Sequence, residues 1–139
     1  GFLCQSCLLV PSLNALENVA FPDELVGDKD ARPRARNLLE RVGLGDRVTN
    51  FPHQLSGGEK QRVAICRALV NKPKIIFADE PTGNLDSTNG AGIIELLVQL
   101  HREEQTTLML VTHAPEMAEH AGRVITLADG KVVSDETRP

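Results

Sequence analysis

The sequence contains no tryptophan and no tyrosine, and only four phenylalanines among 139 residues. That scarcity argues against aromatic platforms that stack the bases of single-stranded nucleic acid. A dominant charge is lacking too: the net charge is −4, with acidic and basic residues interspersed. A broad nucleic-acid-binding surface is therefore not expected, and nucleic acid is not an expected partner. No run approaches the roughly 18 consecutive apolar residues needed to span a bilayer. The start, Gly1-Phe2-Leu3-Cys4-Gln5, has neither an initiator methionine nor the basic flank of a signal peptide, and reads as a chain that begins inside a domain. Three cysteines, an odd number, suit a reducing compartment better than a disulfide framework. Internal repeats and low-complexity tracts are absent.

What is there suits a globular core: 41% of the residues are apolar, enough for one domain or a large piece of one. Residues 11–70 carry helical signals. Ala35, Leu38, Leu39 and Val42 follow helical spacing, with Gly43 and Gly45 as stop signals. A second helix is expected to begin at Ser56-Gly57-Gly58-Glu59 and to carry Val63, Cys66 and Val70 on one face. Beyond it strands and helices alternate. Lys74-Ile75-Ile76-Phe77-Ala78 is a short apolar run without alternation, which predicts a strand buried on both faces. Ile93, Leu96, Leu97 and Leu100 mark an amphipathic helix, residues 107–111 a second buried strand, and residues 117–121 a short helix. Asp129-Gly130 between two apolar runs predicts a terminal hairpin. Buried strands alternating with helices imply a parallel sheet with right-handed crossovers, so the fold class is α/β with a helical lobe ahead of the sheet.

Three groups of residues carry chemistry. Asp79-Glu80 ends the first buried strand, where ligands of open α/β sheets bind. A lone acidic pair there reads most simply as a solvated strand end, but Pro81-Thr82-Gly83-Asn84-Leu85-Asp86 follows without interruption. Asp79 then suits a hard cation such as Mg²⁺, and Glu80 suits the water that attacks a phosphate. Ser56 and Glu59 have the spacing of a capping box. The two intervening glycines are not explained by a cap. They strip side chains from N–H groups at a helix N-terminus, which makes an anion site suited to phosphate. His113 follows the second of these runs, Leu108–Val111, and Thr112, again at a strand's carboxyl end, which lifts it above an ordinary structural histidine.

Together these segments resemble the ATP-binding subunits of ABC transporters. Leu55-Ser56-Gly57-Gly58-Glu59-Lys60-Gln61 is similar to the family's signature motif, and Ile75-Ile76-Phe77-Ala78-Asp79-Glu80 to its Walker B strand. Asp86 stands as the D-loop carboxylate, His113 as the switch histidine and Gln5 as the Q-loop glutamine, all in family order. Ala78-Asp79-Glu80-Pro81-Thr82-Gly83-Asn84-Leu85-Asp86, with Leu13-Asn14-Ala15-Leu16-Glu17-Asn18-Val19 upstream, resembles the branch of lipoprotein-release, macrolide-export and cell-division ATPases. The resemblance implies a partial P-loop NTPase fold, with a helical signature lobe at about residues 6–72 and an α/β lobe at about 73–139. It implies ATP and Mg²⁺ as ligands. Glu80, His113 and Gln5 would be catalytic, Ser56, Gly57, Gly58, Gln61 and Asp86 would meet ATP, and Asp79 and Gln5 would meet the metal.

The expected partners are a second ATPase subunit, in a homodimer, and transmembrane permease subunits. The expected location is the cytoplasmic face of the membrane, and the expected direction export or extraction. Residues 6–22, with Leu8, Leu9, Val10, Leu13 and Leu16, would line a groove for a cytoplasmic helix of the transporter, although each reads equally well as ordinary core. A soluble ABC ATPase of DNA repair or translation is disfavoured by Gly83-Asn84-Leu85-Asp86. Ala114-Pro115 departs from the aspartate often found after the switch histidine.

One family element has no counterpart in the 139 residues. The phosphate loop, G-x-x-x-x-G-K-[ST], does not occur: the only Gly-Lys pair is Gly130-Lys131, with Ile125 in place of the leading glycine and Val132 after the lysine. In the family that loop lies upstream of the Q-loop, together with an aromatic that stacks on adenine, so both are expected ahead of Gly1. Apolar strand edges left open and poor stability are then expected of the segment alone. The alternative reading is a catalytically inert fragment that acts at most as an interaction module. Cys4-Gln5-Ser6-Cys7 has redox or zinc spacing, but no second ligand pair accompanies it, and it reads as ordinary apolar packing.

Overall fold

The computed structural model describes residues 1–6 and 8–139. Three short strands form a parallel sheet in the order β1 (Phe2–Cys4), β2 (Ile75–Asp79), β3 (Thr107–Val111). Three helices lie between β1 and β2 in the chain: α1 (Ala15–Glu24), α2 (Ala31–Arg41) and α3 (Gly57–Leu69). Helix α4 (Ser87–Glu103) carries the chain from β2 to β3. A short helix α5 (Pro115–Ala118) and an antiparallel hairpin, β4 (Arg123–Ala128) and β5 (Lys131–Thr137), complete the order. The helical segment thus interrupts the sheet rather than preceding it, because β1 pairs with β2 in the register Phe2↔Phe77, Leu3↔Ala78, Cys4↔Asp79.

Local chemistry sets most boundaries. Helix α1 opens on a reciprocal cap: Asn14 Oδ1 accepts from the Glu17 N–H, and the Asn14 N–H donates to Glu17 Oε1. Helix α3 opens on the same device at Ser56 and Glu59, as the spacing predicts. The short helix after β3 begins at Pro115 rather than near Met117, since proline's fixed φ and missing N–H suit the first helical turn. At the hairpin, Asp129 and Gly130 both have positive φ, 50° and 74°, the requirement of a type I′ turn. The Gly130-Lys131 pair therefore sits in a turn.

One hydrophobic core joins the helices to one face of the sheet. Val19, Ala20, Ala35, Leu39, Val63 and Cys66 are fully excluded from water, and Leu3, Ile76 and Ala78 pack into the same cluster. Asn18, buried among them, is satisfied: its Oδ1 accepts from the Val10 N–H, and its Nδ2 donates to the carbonyls of Val10, Leu13 and Asn14. Arg41 fastens α2 to the end of α4 through Glu103 and Glu104.

The expectation that β2 is buried on both faces is not met, and β3, expected as a second buried strand, has no fully buried residue. Burial along β2 alternates, and the cross-strand row Phe2, Phe77, Met109 is 60%, 44% and 51% exposed. The described residues cover the sheet on one side only, so alternate side chains of a β-rich apolar run face outward. Uncovered apolar surface lies on this sheet face, including the edge strands β1 and β3, and on the hairpin at Ile125, Leu127, Val132 and Val133.

Candidate functional site

The carboxyl ends of all three parallel strands converge. Glu80 directly follows β2, and its N–H continues the ladder by donating to the Val111 carbonyl at 2.8 Å. Its φ of 46° is left-handed, a conformation that a non-glycine residue holds only when its surroundings dictate it, and one found at functional sites. The half-buried Glu80 carboxylate receives the His113 backbone N–H at 2.9 Å, and His113 Nδ1 lies 2.5 Å from the same oxygen, Oε1. A carboxylate can only accept, so Nδ1 carries the proton, and Nε2 is the free nitrogen of an imidazole that is 90% exposed. Thr112 Oγ1 stands 3.4 Å from the other oxygen, Oε2. The pairing spans 33 residues.

Gln5, at the end of β1, joins the same cluster. Its Nε2 donates to Asn84 Oδ1 at 3.2 Å, and Asn84 Nδ2 donates back to the Gln5 carbonyl at 3.0 Å. The Gln5 side chain lies directly on Gly83. A Cβ there would fall 2.6 Å from Gln5 Cδ, so a larger residue would push the Gln5 side chain out of this position. Because Cys4 pairs with Asp79, Gln5 and Asp79 leave the sheet on adjacent strands. Gln5, Glu80, Gly83, Asp86 and His113 all line one cleft of about 670 Å³. A second cleft, of about 540 Å³ between α2 and the end of α3, contains none of the expected site residues.

At the N-terminus of α3, Ser56 Oγ accepts from the Glu59 N–H and the Ser56 N–H donates to Glu59 Oε1. That backbone bond holds the Glu59 carboxyl below its ordinary 4.5. Ser56 and Gly57 are exposed and Gly58 half-buried, so the bare end of the helix faces outward. The structure adds a packing reason for the first glycine: a Cβ on Gly57 would lie 3.3 Å from Leu85 Cδ2. Asp86 caps α4, accepting from the Asn89 N–H at 2.8 Å and from Asn89 Nδ2 at 2.9 Å; the backbone bond leads in lowering its pKa. Ser56, Gly57, Gly58 and Asp79 lie outside the lining of the strand-end cleft.

Gln61 sits elsewhere again. It is buried, and its Nε2 donates to the Pro81 carbonyl at 2.6 Å, which straps α3 to the loop after Glu80. Of the five residues expected to line a groove, Leu16 is core, Leu8 is exposed, and Leu9, Val10 and Leu13 are half-buried. Cys7 lies outside the described residues, Cys4 is half-buried, and burial pushes the Cys66 thiol up to about 12. Among the described residues no cluster of three or more His, Cys, Asp or Glu can hold a metal. Asp79 and Gln5, on adjacent strand ends, offer a carboxylate and an amide oxygen, the oxygen donors that a hard cation takes. Asn84, Asn89 and Thr112 are the partners that sequence reasoning missed. Asn84 stood inside a motif already singled out, but nothing local shows what it bonds.

The family model for ABC transporters matches residues 1–83. An uncharacterized ABC transporter ATP-binding protein of Methanocaldococcus jannaschii is 52% identical over 136 residues, 96% of this chain and 60% of that relative. The lipoprotein-releasing system ATP-binding protein LolD of Aquifex aeolicus is 47% identical over 140 residues, 99% of this chain and 62% of the relative. Among solved structures, a dimeric ATP-binding cassette in a post-hydrolysis state, bound to ADP and Pi, superposes with a TM-score of 0.82 at 42% identity, covering 99% of this chain and 62% of that one. The chain thus spans about 60% of the length of these relatives.

Proposed function

The chain belongs to the ABC transporter family, and from that membership we propose that the complete protein is an ATP-hydrolysing subunit that drives export or extraction through a membrane permease. The observation that carries the reading is the convergence of Glu80, His113 and Gln5 at the strand ends, in one cleft. Glu80 orients the attacking water and takes its proton, His113 holds that carboxylate through Nδ1–H, and catalysis is mainly positioning and charge stabilisation. Mg²⁺, held by Asp79 and Gln5, would neutralise charge on the phosphates. The Ser56 hydroxyl and the bare N–H groups of Gly57 and Gly58 complete the nucleotide site of a second subunit, with Asp86 beside them and Gln61 strapping their helix in place. The dimeric, ADP- and Pi-bound state of the similar cassette supports this two-subunit arrangement. Such a subunit lies on the cytoplasmic face of the membrane, against its permease.

The 139 residues by themselves contain no phosphate-loop motif, and we infer that they turn over no ATP alone. Steady-state assays of Mg²⁺-dependent ATP turnover test both statements. In the complete protein Glu80→Gln lowers the rate by roughly 10²–10⁴-fold. An unchanged rate would remove Glu80 from the reaction, and turnover by the 139 residues would remove the inert reading.

A further inference from the structure

The hydrogen bonds around Gln5 form a closed logical chain. A backbone carbonyl can only accept, so the Asn84 atom 3.0 Å from the Gln5 carbonyl must be Nδ2. Asn84 Oδ1 is then the atom turned to the Gln5 side chain, and it can only accept. The Gln5 atom facing it, at 3.2 Å, must therefore be Nε2, and Oε1 is the atom on the opposite side of the amide. An amide's orientation is usually a matter of assignment, but here one carbonyl oxygen dictates it through two steps. Gly83 completes the device by leaving the space that the Gln5 side chain fills.

We propose that Asn84 is a positioning residue which, across the bare backbone of Gly83, fixes the Gln5 amide with its oxygen toward the cation and its nitrogen away from it. The cation half of this proposal rests on the function proposed above; the latch itself does not. Gln5 is exposed and its side chain otherwise has a free choice of rotamer and of amide face. Holding the oxygen-donor face in advance removes that choice before a cation arrives, in the way that outer-shell partners orient metal ligands. The latch also ties the end of β1 to the loop that leads from Glu80 to Asp86, across 79 residues of sequence.

Asn84→Ala tests this by removing both bonds at once. A methyl group neither accepts from Gln5 Nε2 nor donates to the Gln5 carbonyl, so the latch opens at a position that is exposed and carries no core packing. The first measurement is the Gln5 side-chain NH₂ pair in a ¹⁵N–¹H correlation spectrum of the nucleotide-free complete protein, assigned by its loss in Gln5→Ala. The pair is expected to move in Asn84→Ala and to stay in place in Ser87→Ala. An unmoved pair in Asn84→Ala would overturn the latch, whether or not the protein is an ATPase. The second measurement is Mn²⁺ affinity with a non-hydrolysable ATP analogue, read by electron paramagnetic resonance, which should weaken by roughly 10-fold. A moved NH₂ pair with unchanged Mn²⁺ affinity would overturn the cation half. Failure of the unaltered protein to bind the analogue at all would sink that half together with the functional reading.

Discussion

The N-terminus of α3 and the strand-end cleft are built on opposite plans. The first is assembled from neighbours: Ser56 and Glu59 satisfy each other three residues apart, and the glycines between them expose the backbone. The second is assembled from afar, by Gln5 with Asn84 over 79 residues and His113 with Glu80 over 33, and α3 is strapped to the loop after Glu80 by Gln61 and Pro81 over 20. A helix end that binds anions through backbone N–H groups needs only a cap and small residues, and forms wherever the helix forms. A site that handles water and a cation needs side chains from different strands, and exists only when the sheet is correctly registered. The difference predicts that the first is locally robust and the second depends on long-range packing.

Substitutions at the two ends sharpen or break that contrast. The largest effect on stability is expected at Gln61. Gln61→Leu leaves the buried Pro81 carbonyl without its donor, a loss of roughly 1–3 kcal/mol in chemical denaturation. Ser56→Ala removes only the local cap and should cost about 1 kcal/mol, with ATP turnover in the complete protein falling through the lost contact. A larger stability loss from Ser56→Ala than from Gln61→Leu would reverse the contrast. The smallest effect is electrostatic. Hydrogen bonds from Asn89 keep the Asp86 carboxyl below its ordinary 3.8 in the folded chain, so its contribution is present above that value and is lost as pH falls through the lower, folded one. Acid unfolding followed by circular dichroism should therefore be less steep below about pH 4 in Asp86→Asn, which retains a capping side chain. An identical acid profile would show that the cap does not titrate with folding.

The same contrast explains what could be read in advance. The α/β class, helices α2, α3 and α4, strand β3 and the hairpin turn were all legible, because periodicity, caps and the Asp129-Gly130 pair act within a few residues. The Ser56–Glu59 box was legible for the same reason. The partners of Glu80 and Gln5 were not: nothing within a few residues of Asn84 or Thr112 indicates which distant side chain each meets. Strand burial also misled, since an apolar run such as Ile75-Ile76-Phe77-Ala78 states what could be covered on each face, not what covers it. Gln61 shows the limit most clearly. Its sequence neighbourhood places it among nucleotide-binding residues, whereas packing turns its amide inward to Pro81.

Mixing two inactive variants of the complete protein measures most directly whether the two ends serve different nucleotides. Glu80→Gln removes the water-handling end and Ser56→Arg blocks the helix end. If each site joins the cleft of one subunit to the α3 terminus of the other, a mixed dimer has one site with both defects and one with neither. Equal mixing should then restore about a quarter of the unaltered rate, half the dimers being mixed and each holding one intact site of two. If both ends serve a nucleotide within one subunit, no site is free of damage and the mixture stays as inactive as its components.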